Sequence, residues 1–329
     1  MTIHVRAPGR VNLIGDHTDY TGGMVLPMAI DRWTEIRGIP ADSISLRSAD
    51  EPEPAELELI VTDPQLVEPH WARYVAGVVA EMQPYGGVNG TIATDIPIGA
   101  GLSSSAALEL AVALALGFDG DPLSLAQLCR RAEIRASGVP CGIMDQLVIA
   151  AGVAGHALLI DCGDVTIEPV EIPDDVEIVV QFVAHRALVG SAYARRVAEC
   201  AAAEEAIGPL RAAALHDTSA ISDPVIRARA QHVVSENQRV REFAAALAGG
   251  DLATAGALMV QSHNSQRDLY LTSTPAMDAA VEQLMQQPAV YGARMTGGGF
   301  GGCVVALTEP GALTDGWVVR AVDGAHRLE

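Results

Sequence analysis

The chain has 329 residues, 49% of them hydrophobic but only 4% aromatic, which suffices for two lobes or one large α/β unit with a core built from Ala, Val, Leu and Ile. Its 21 basic and 41 acidic residues leave a net charge of −20, a soluble surface that repels nucleic acid and anionic membranes. It repels ATP as well, so a nucleotide site would need local donors such as backbone N–H groups, an arginine or a divalent cation.

The first strands are expected at 3–6, 25–30, 34–39 and 57–61, where β-branched residues cluster. Apolar residues at helical spacing follow over 71–82, then strand alternation over 88–95. A glycine-serine loop leads into a helix over 104–116 that is apolar nearly all round and so should be buried. Helices are expected at 123–136, stopped by Gly138-Val139-Pro140, and from 145 to 151. Strands at 156–161, 165–169 and 177–182 precede a mostly helical stretch over 191–285, broken at 217–224 and 271–275. Strands at 291–295 and 303–307 bracket a glycine-rich turn. Composition shifts from strand-rich to helix-rich near 165–175, which puts a soft domain boundary there.

Cys129, Cys141, Cys162, Cys200 and Cys303 form no C-x-x-C pair, a pattern that fits reduced thiols rather than a zinc site or disulfide framework. The N-terminus has no basic-then-apolar signal pattern, and no apolar run is long enough to span a bilayer. A cytoplasmic protein with no obligate protein partner is the expectation.

Four stretches carry chemistry. The first is Pro97-Ile98-Gly99-Ala100-Gly101-Leu102-Ser103-Ser104-Ser105-Ala106, between an expected strand and an expected helix. Glycines let a backbone close on a phosphate, the helix N-terminus adds about half a positive charge, and serine hydroxyls bind phosphate oxygens or a cation. It lacks the lysine of the common P-loop; the bland alternative is a helix N-cap. The second is Gly9-Arg10-Val11-Asn12-Leu13-Ile14-Gly15-Asp16-His17-Thr18-Asp19-Tyr20, read as a turn-rich loop. Its carboxylates suit sugar hydroxyls, and Arg10 suits a transferring phosphoryl group; a solvated hairpin tip is the alternative, and a metal site is rejected.

The third is Gly138-Val139-Pro140-Cys141-Gly142-Ile143-Met144-Asp145. Asp145 reads either as a helix N-cap or as a carboxylate that positions a hydroxyl for attack on phosphorus. Glu133, upstream, is by itself a surface residue. The fourth, Arg294-Met295-Thr296-Gly297-Gly298-Gly299-Phe300-Gly301-Gly302, places five glycines in six positions. That is costly in folding entropy unless backbone or substrate is pressed against it.

Together, in this order and across nearly the whole chain, these stretches resemble the galactokinase branch of the GHMP small-molecule kinases. The resemblance implies an α+β fold of two lobes. A mixed α/β, ATP-binding N-terminal lobe would span 1–170 and a ferredoxin-like C-terminal lobe 171–329, with the site in the cleft between them. It further implies a sugar 1-kinase using ATP and Mg²⁺, with Arg10 and Asp145 catalytic. Asp16, His17, Asp19, Gly142 and Tyr193 would contact the sugar. Gly99, Ala100, Gly101, Leu102, Ser103, Ser104 and Ser105 would hold the phosphates, Trp71 and Tyr74 the adenine side, and Ser105 with Glu133 the metal. Trp71 and Tyr74 share a helix face by their i, i+3 spacing and read equally well as core. Position 16 departs from the family, which usually carries Glu there, and the stretch 182–186 lacks the family's usual Asn/Asp-Ser. Galactose is therefore the first expectation for the substrate; an N-acetylhexosamine, arabinose or another hexose is the alternative, and a non-catalytic sugar sensor a remote one.

Overall fold

A computed structural model describes residues 2–185 and 189–328. In chain order its elements are β1 (Ile3–Ile14), β2 (Met24–Ala41), β3 (Ile44–Ser48), β4 (Ala55–Leu57), α1 (Ala72–Met82), β5 (Gly87–Thr94), α2 (Ser104–Ala115), α3 (Pro122–Ser137) and α4 (Met144–Ala151). There follow β6 (His156–Asp161), β7 (Thr166–Glu171), β8 (Glu177–Ala184), α5 (Val189–Ile207), α6 (Pro224–Ala248), α7 (Leu252–Ser265), α8 (Pro275–Met285), β9 (Val290–Thr296), β10 (Gly302–Thr308), β11 (Trp317–Val319) and β12 (His326–Arg327).

The first sheet runs β12-β1-β2-β5-β3-β4, with β6 joining the start of β2 and β7 beyond it. Only β3–β5 is parallel among its pairs. The second sheet, β11-β8-β10-β9, is antiparallel throughout. The change of sheet falls between β7 and β8, yet the chain end returns to the first sheet, where Val5 pairs with Arg327. One apolar core runs through both layers, joining Val25 and Ile160 to Ile178, Val305 and Leu307. Such continuity explains why no linker composition marks a boundary.

Several expected elements are corrected. Of the stretch from Gly9, residues 9–14 continue β1 and only 15–23 form the turn that joins it to β2; residues 7–18 are all buried, so the turn is not a solvated tip. A strand covered on both faces does not alternate, so its polar residues mimic a loop. The separate strands at 25–30 and 34–39 are one strand, β2, with a register shift opposite Pro8/Gly9. The strand expected at 57–61 does not form there; β4 lies earlier, over Ala55–Leu57, and shares only Leu57 with it. The helical stretch over 191–285 breaks before Pro224 and before Pro275 as expected, but the first break already begins after Ile207, and a further one falls at Gly249-Gly250-Asp251; Asp223 and Asp251 cap the helices that follow.

Candidate active site

A cavity of 810 Å³ lies between the two sheets' helices and loops. Its phosphate side is the loop before α2. Gly99, Gly101 and Ser103 all take left-handed backbone angles, φ 74, 82 and 61°. The first two suit glycine; the third is unfavourable for serine and needs an external tether. Ser103 stands at the N-cap position of α2, but its hydroxyl donates to Asp145 instead of capping the helix. The first N–H groups of α2 are thereby left for a ligand. Gly99, Gly101, Ser103, Ser104 and Ser105 line the cavity, whereas Ala100 and Leu102 are buried in the core and do not line it.

Arg10 on β1 and Asp145 in the first turn of α4 meet across this loop. Nε and Nη2 of Arg10 each donate to Asp145 at 2.8 Å, a two-pronged pair that also fixes the carboxylate's plane. Nη1 donates to the Gly101 carbonyl, and the Arg10 backbone N–H donates to Leu102 O. The guanidinium therefore ties strand, phosphate loop and helix together. The helix begins at Met144 with Ile143 as N-cap, so Asp145 is not the cap of its helix.

Beyond Arg10 the chain turns through Gly15–Gly23. His17 Nε2 lies 3.2 Å from the Gly298 carbonyl, which can only accept, so Nε2 carries the proton. Nδ1 lies 3.0 Å from the Tyr20 hydroxyl. Tyr20 is bonded in turn to Tyr270, and Tyr270 to Cys200. Tyr193 stacks at 5.5 Å from the His17 ring. Its side chain reaches the cavity, while Arg186 and Leu188, in the neighbouring stretches compared with the family, lie outside the described residues. Asp19 is pushed up to about 7, by burial first and then by the nearby Asp145 charge. A Cβ on Gly142 would collide with the Asp19 carboxylate, so only glycine leaves that acid its place.

Asp16 also borders the cavity, but its carboxylate is already engaged. Arg294 Nη2 donates at 2.5 Å and the Gly297 N–H at 3.0 Å, with Gln266 at 3.4 Å. Asp16 is 1% and Arg294 0% exposed. The expectation of a sugar ligand one methylene short thus meets an acid that holds β1 to the glycine-rich turn.

On the opposite wall, the Ser105 hydroxyl donates to Glu133 at 3.3 Å and Gln146 donates to the other oxygen. Burial, then the Asp145 charge, raises Glu133 to about 7, and Glu109, fully buried beside it, is held well above the carboxylate range. Among the described residues no group of three or more His, Cys, Asp or Glu is disposed to hold a metal. Trp71 and Tyr74 line the cavity half-buried; Trp71 donates to the Glu53 carbonyl and also packs on the core, so the helix face serves both readings.

Sequence reasoning gave no role to Arg294, Tyr270, Gln146 or Glu236. Arg294 stands just before the glycine run, and an arginine inside an apolar strand was the available signal. Glu236 and Tyr270 lie in a long helical region with nothing local to mark them.

Three family models match this chain: a galactokinase galactose-binding signature over residues 2–37, the GHMP kinase N-terminal domain over 73–153 and the GHMP kinase C-terminal domain over 243–314. The galactokinase of Bos taurus is 43% identical over 94% of this chain and 84% of its own length. The chain belongs to the galactokinase family. The galactokinase of Chloroflexus aggregans is 44% identical over 92% of this chain and 83% of its own. A crystal structure of Lactococcus lactis galactokinase complexed with galactose superposes with a TM-score of 0.93, at 30% identity, covering 99% of this chain and 95% of that one. The galactokinase signature ends inside β2, so it includes Arg10, Asp16, His17 and Asp19. The galactokinase fold of this chain is thus the two-lobed GHMP kinase fold, and the chain is a sugar kinase that uses ATP. No helix among the described residues is long and apolar enough to cross a membrane.

Proposed function

We propose that this chain phosphorylates galactose at its anomeric hydroxyl, giving galactose 1-phosphate and ADP. The observation that carries the reading is the Arg10–Asp145 pair, set between a phosphate loop and a loop of sugar-binding character. The anomeric oxygen attacks the γ-phosphorus, the bond to the β-phosphate oxygen breaks, and the hydroxyl proton leaves toward Asp145. The Asp145 carboxylate accepts from Arg10 twice and from Ser103, which fixes its plane. Its part is to orient the hydroxyl and take the proton late, as suits a loose phosphoryl transfer. Arg10 then meets the charge spreading over the transferred group.

His17, Asp19 and Tyr193 are the side chains we assign to the sugar, with the Gly142 backbone. Asp16 we assign to holding that loop through Arg294 rather than to the sugar itself. The loop 99–105 and the N-terminus of α2 hold the triphosphate, and Trp71 and Tyr74 flank the base. Ser105 and Glu133 suit Mg²⁺: a hydroxyl and an uncompensated carboxylate on the cavity wall are hard oxygen donors, and Mg²⁺ takes few protein ligands when phosphates supply the rest. The ion would supply charge neutralisation on the phosphates. We divide the chain into an ATP-binding lobe, 1–170, and a second lobe, 171–329, and place it in the cytoplasm, where ATP and reduced thiols such as Cys129 coexist.

Because Asp16 is drawn away by Arg294, a second hexose or an N-acetylhexosamine is the competing substrate. ADP release measured over a panel of sugars, with and without Mg²⁺, decides the matter. Turnover with galactose that disappears in Asp145→Ala supports the reading; no turnover at millimolar galactose, or a clearly higher kcat/KM for another sugar, rejects it.

A further inference from the structure

At the end of α7 the chain widens into a π-turn, Gln266–Tyr270, and leaves it through Leu271 at a left-handed φ of 56°. Such turns are rare and gather at functional sites, and a bulky residue stays in the left-handed region only when its surroundings impose it. Two buried arginines impose it here. Arg196 of α5 donates to the Tyr270 and Leu271 carbonyls, Arg229 of α6 donates to that of Leu269, and both pair with Glu199. Carbonyls that a helix end would leave unmet are thereby satisfied. Arg196 stands three residues beyond Tyr193 on the same helix, so the clamp also ties that helix to the turn.

What the turn presents is its pair of fully buried side chains, Gln266 and Tyr270. Neither lines the cleft, yet both reach the loop that carries His17 and Asp19 from behind: Gln266 at Asp16 and Tyr270 at Tyr20. The Tyr270 ring lies 4.8 Å from that of His17 and 4.4 Å from that of His232. Its hydroxyl sits between the Tyr20 hydroxyl and, at 3.0 Å, the Cys200 thiol, while Tyr20 reaches Nδ1 of His17 at 3.0 Å. Burial pushes both phenols well above their ordinary value and the thiol up to about 11, so all three keep their protons in the fold.

We propose that Tyr270 is a positioning residue for sugar recognition, acting on His17 through Tyr20. Tyr270 donates a hydrogen bond to the Tyr20 oxygen, and Tyr20 donates its own to Nδ1 of His17. Each hydroxyl has a single proton, so the direction of one bond sets the next, and the Cys200 thiol donates to the Tyr270 oxygen. The Gly298 carbonyl can only accept, which leaves His17 neutral with its proton on Nε2. Held at both nitrogens, the ring can neither rotate nor exchange tautomers. Since His17 lines the cleft, the plane of its ring shapes the wall beside Asp19 and Tyr193. The inference rests on the assignment of His17 to the sugar.

Nitrogen NMR on the whole protein with labelled histidine reads the relay without any sugar, the His17 signals being identified by their loss in His17→Gln. The expected spectrum is that of a neutral ring, Nε2 protonated and Nδ1 accepting. Its Nδ1 signal should move in Tyr270→Phe, although position 270 bonds to neither nitrogen. That variant keeps the ring that packs on His17 and His232 and removes one hydroxyl. A proton on Nδ1 in the wild type, or an Nδ1 signal unmoved by Tyr270→Phe, overturns the inference. In turnover, Tyr270→Phe should raise the sugar KM about fivefold, the effect of one buried hydrogen bond, with the ATP KM unchanged. Tyr20→Phe should do at least as much, and the double variant no more than Tyr20→Phe alone, since both cut one path. Additive losses, or an ATP KM that rises in step, would mark general loosening and overturn it too. A wild type that rejects galactose strikes the substrate reading only, and the nitrogen signals still decide this one.

Discussion

Arg294→Met should destabilise the protein more than almost any other single change outside the apolar core. The guanidinium is fully buried and reaches Asp16, the Asn12 and Leu13 carbonyls, and, at 4.0 Å, Glu236. Removing it strands the Asp16 carboxylate with only the Gly297 N–H and a long bond from Gln266. Glu236 still has Arg239 and Ser262, so most of the loss falls on Asp16. Breaking a buried pair from one side costs about 3–5 kcal/mol, because the remaining charge stays desolvated. At about 2 °C per kcal/mol for a chain of this size, Tm should fall by about 6–10 °C. Adding Asp16→Asn removes the stranded charge and should recover about 1–3 kcal/mol, a coupling readable in a double-mutant cycle by urea unfolding. Since Arg294 touches no reacting atom, the sugar KM should rise while the ATP KM stays put. A single-variant cost below about 1 kcal/mol, or strict additivity in the cycle, would refute the reasoning.

Asp145→Ala should lose about 10²–10⁴ in kcat, the range of one positioned acid–base group; retention of full activity would remove it from the mechanism. Gly142→Ala should displace the Asp19 carboxylate and raise the sugar KM at least about tenfold, with ATP binding intact; an unchanged KM would separate Asp19 from the sugar. Glu133 binds its proton more tightly folded, at about 7, than in the unfolded chain, so its contribution is full at low pH and is lost as pH rises to about 7. Glu133→Gln, without nucleotide or metal, should therefore melt higher than wild type at pH 8 and match it near pH 4, and the reverse order would contradict the assignment. His232 has the opposite sign. Burial lowers it to about 4, so the unfolded chain gains a proton first and stability drains away as pH falls from 6.5 toward 4. Glu133 and Asp19 pull the other way over the same window, so the comparison is with His232→Gln, and a Tm difference between the two proteins that stays flat would refute the assignment.

Part of the site could be read directly because its chemistry is local. The glycines and serines of 99–105 must bend a backbone, and they do so at the start of a helix, where phosphate donors are made. Arg10 and Asp145 could be named but not paired, since 135 residues separate them and only the packing of α4 against β1 brings them to 2.8 Å. The error over 9–14 has a physical source: a strand buried on both faces that carries Gly, Arg and Asn looks like a loop until its partners are known.

Asp16 shows the boundary most plainly. The amino-acid sequence alone determined that an acid stands at 16 beside His17 and Asp19, that a glycine-serine loop precedes an apolar helix, and that the chain carries the galactokinase pattern from end to end. Which way the acid at 16 points was decided only by the tertiary structure. Its charge is spent on Arg294, 278 residues away, because a buried carboxylate is drawn to whatever cation the fold sets beside it. Residue type and spacing carry no information about that neighbour.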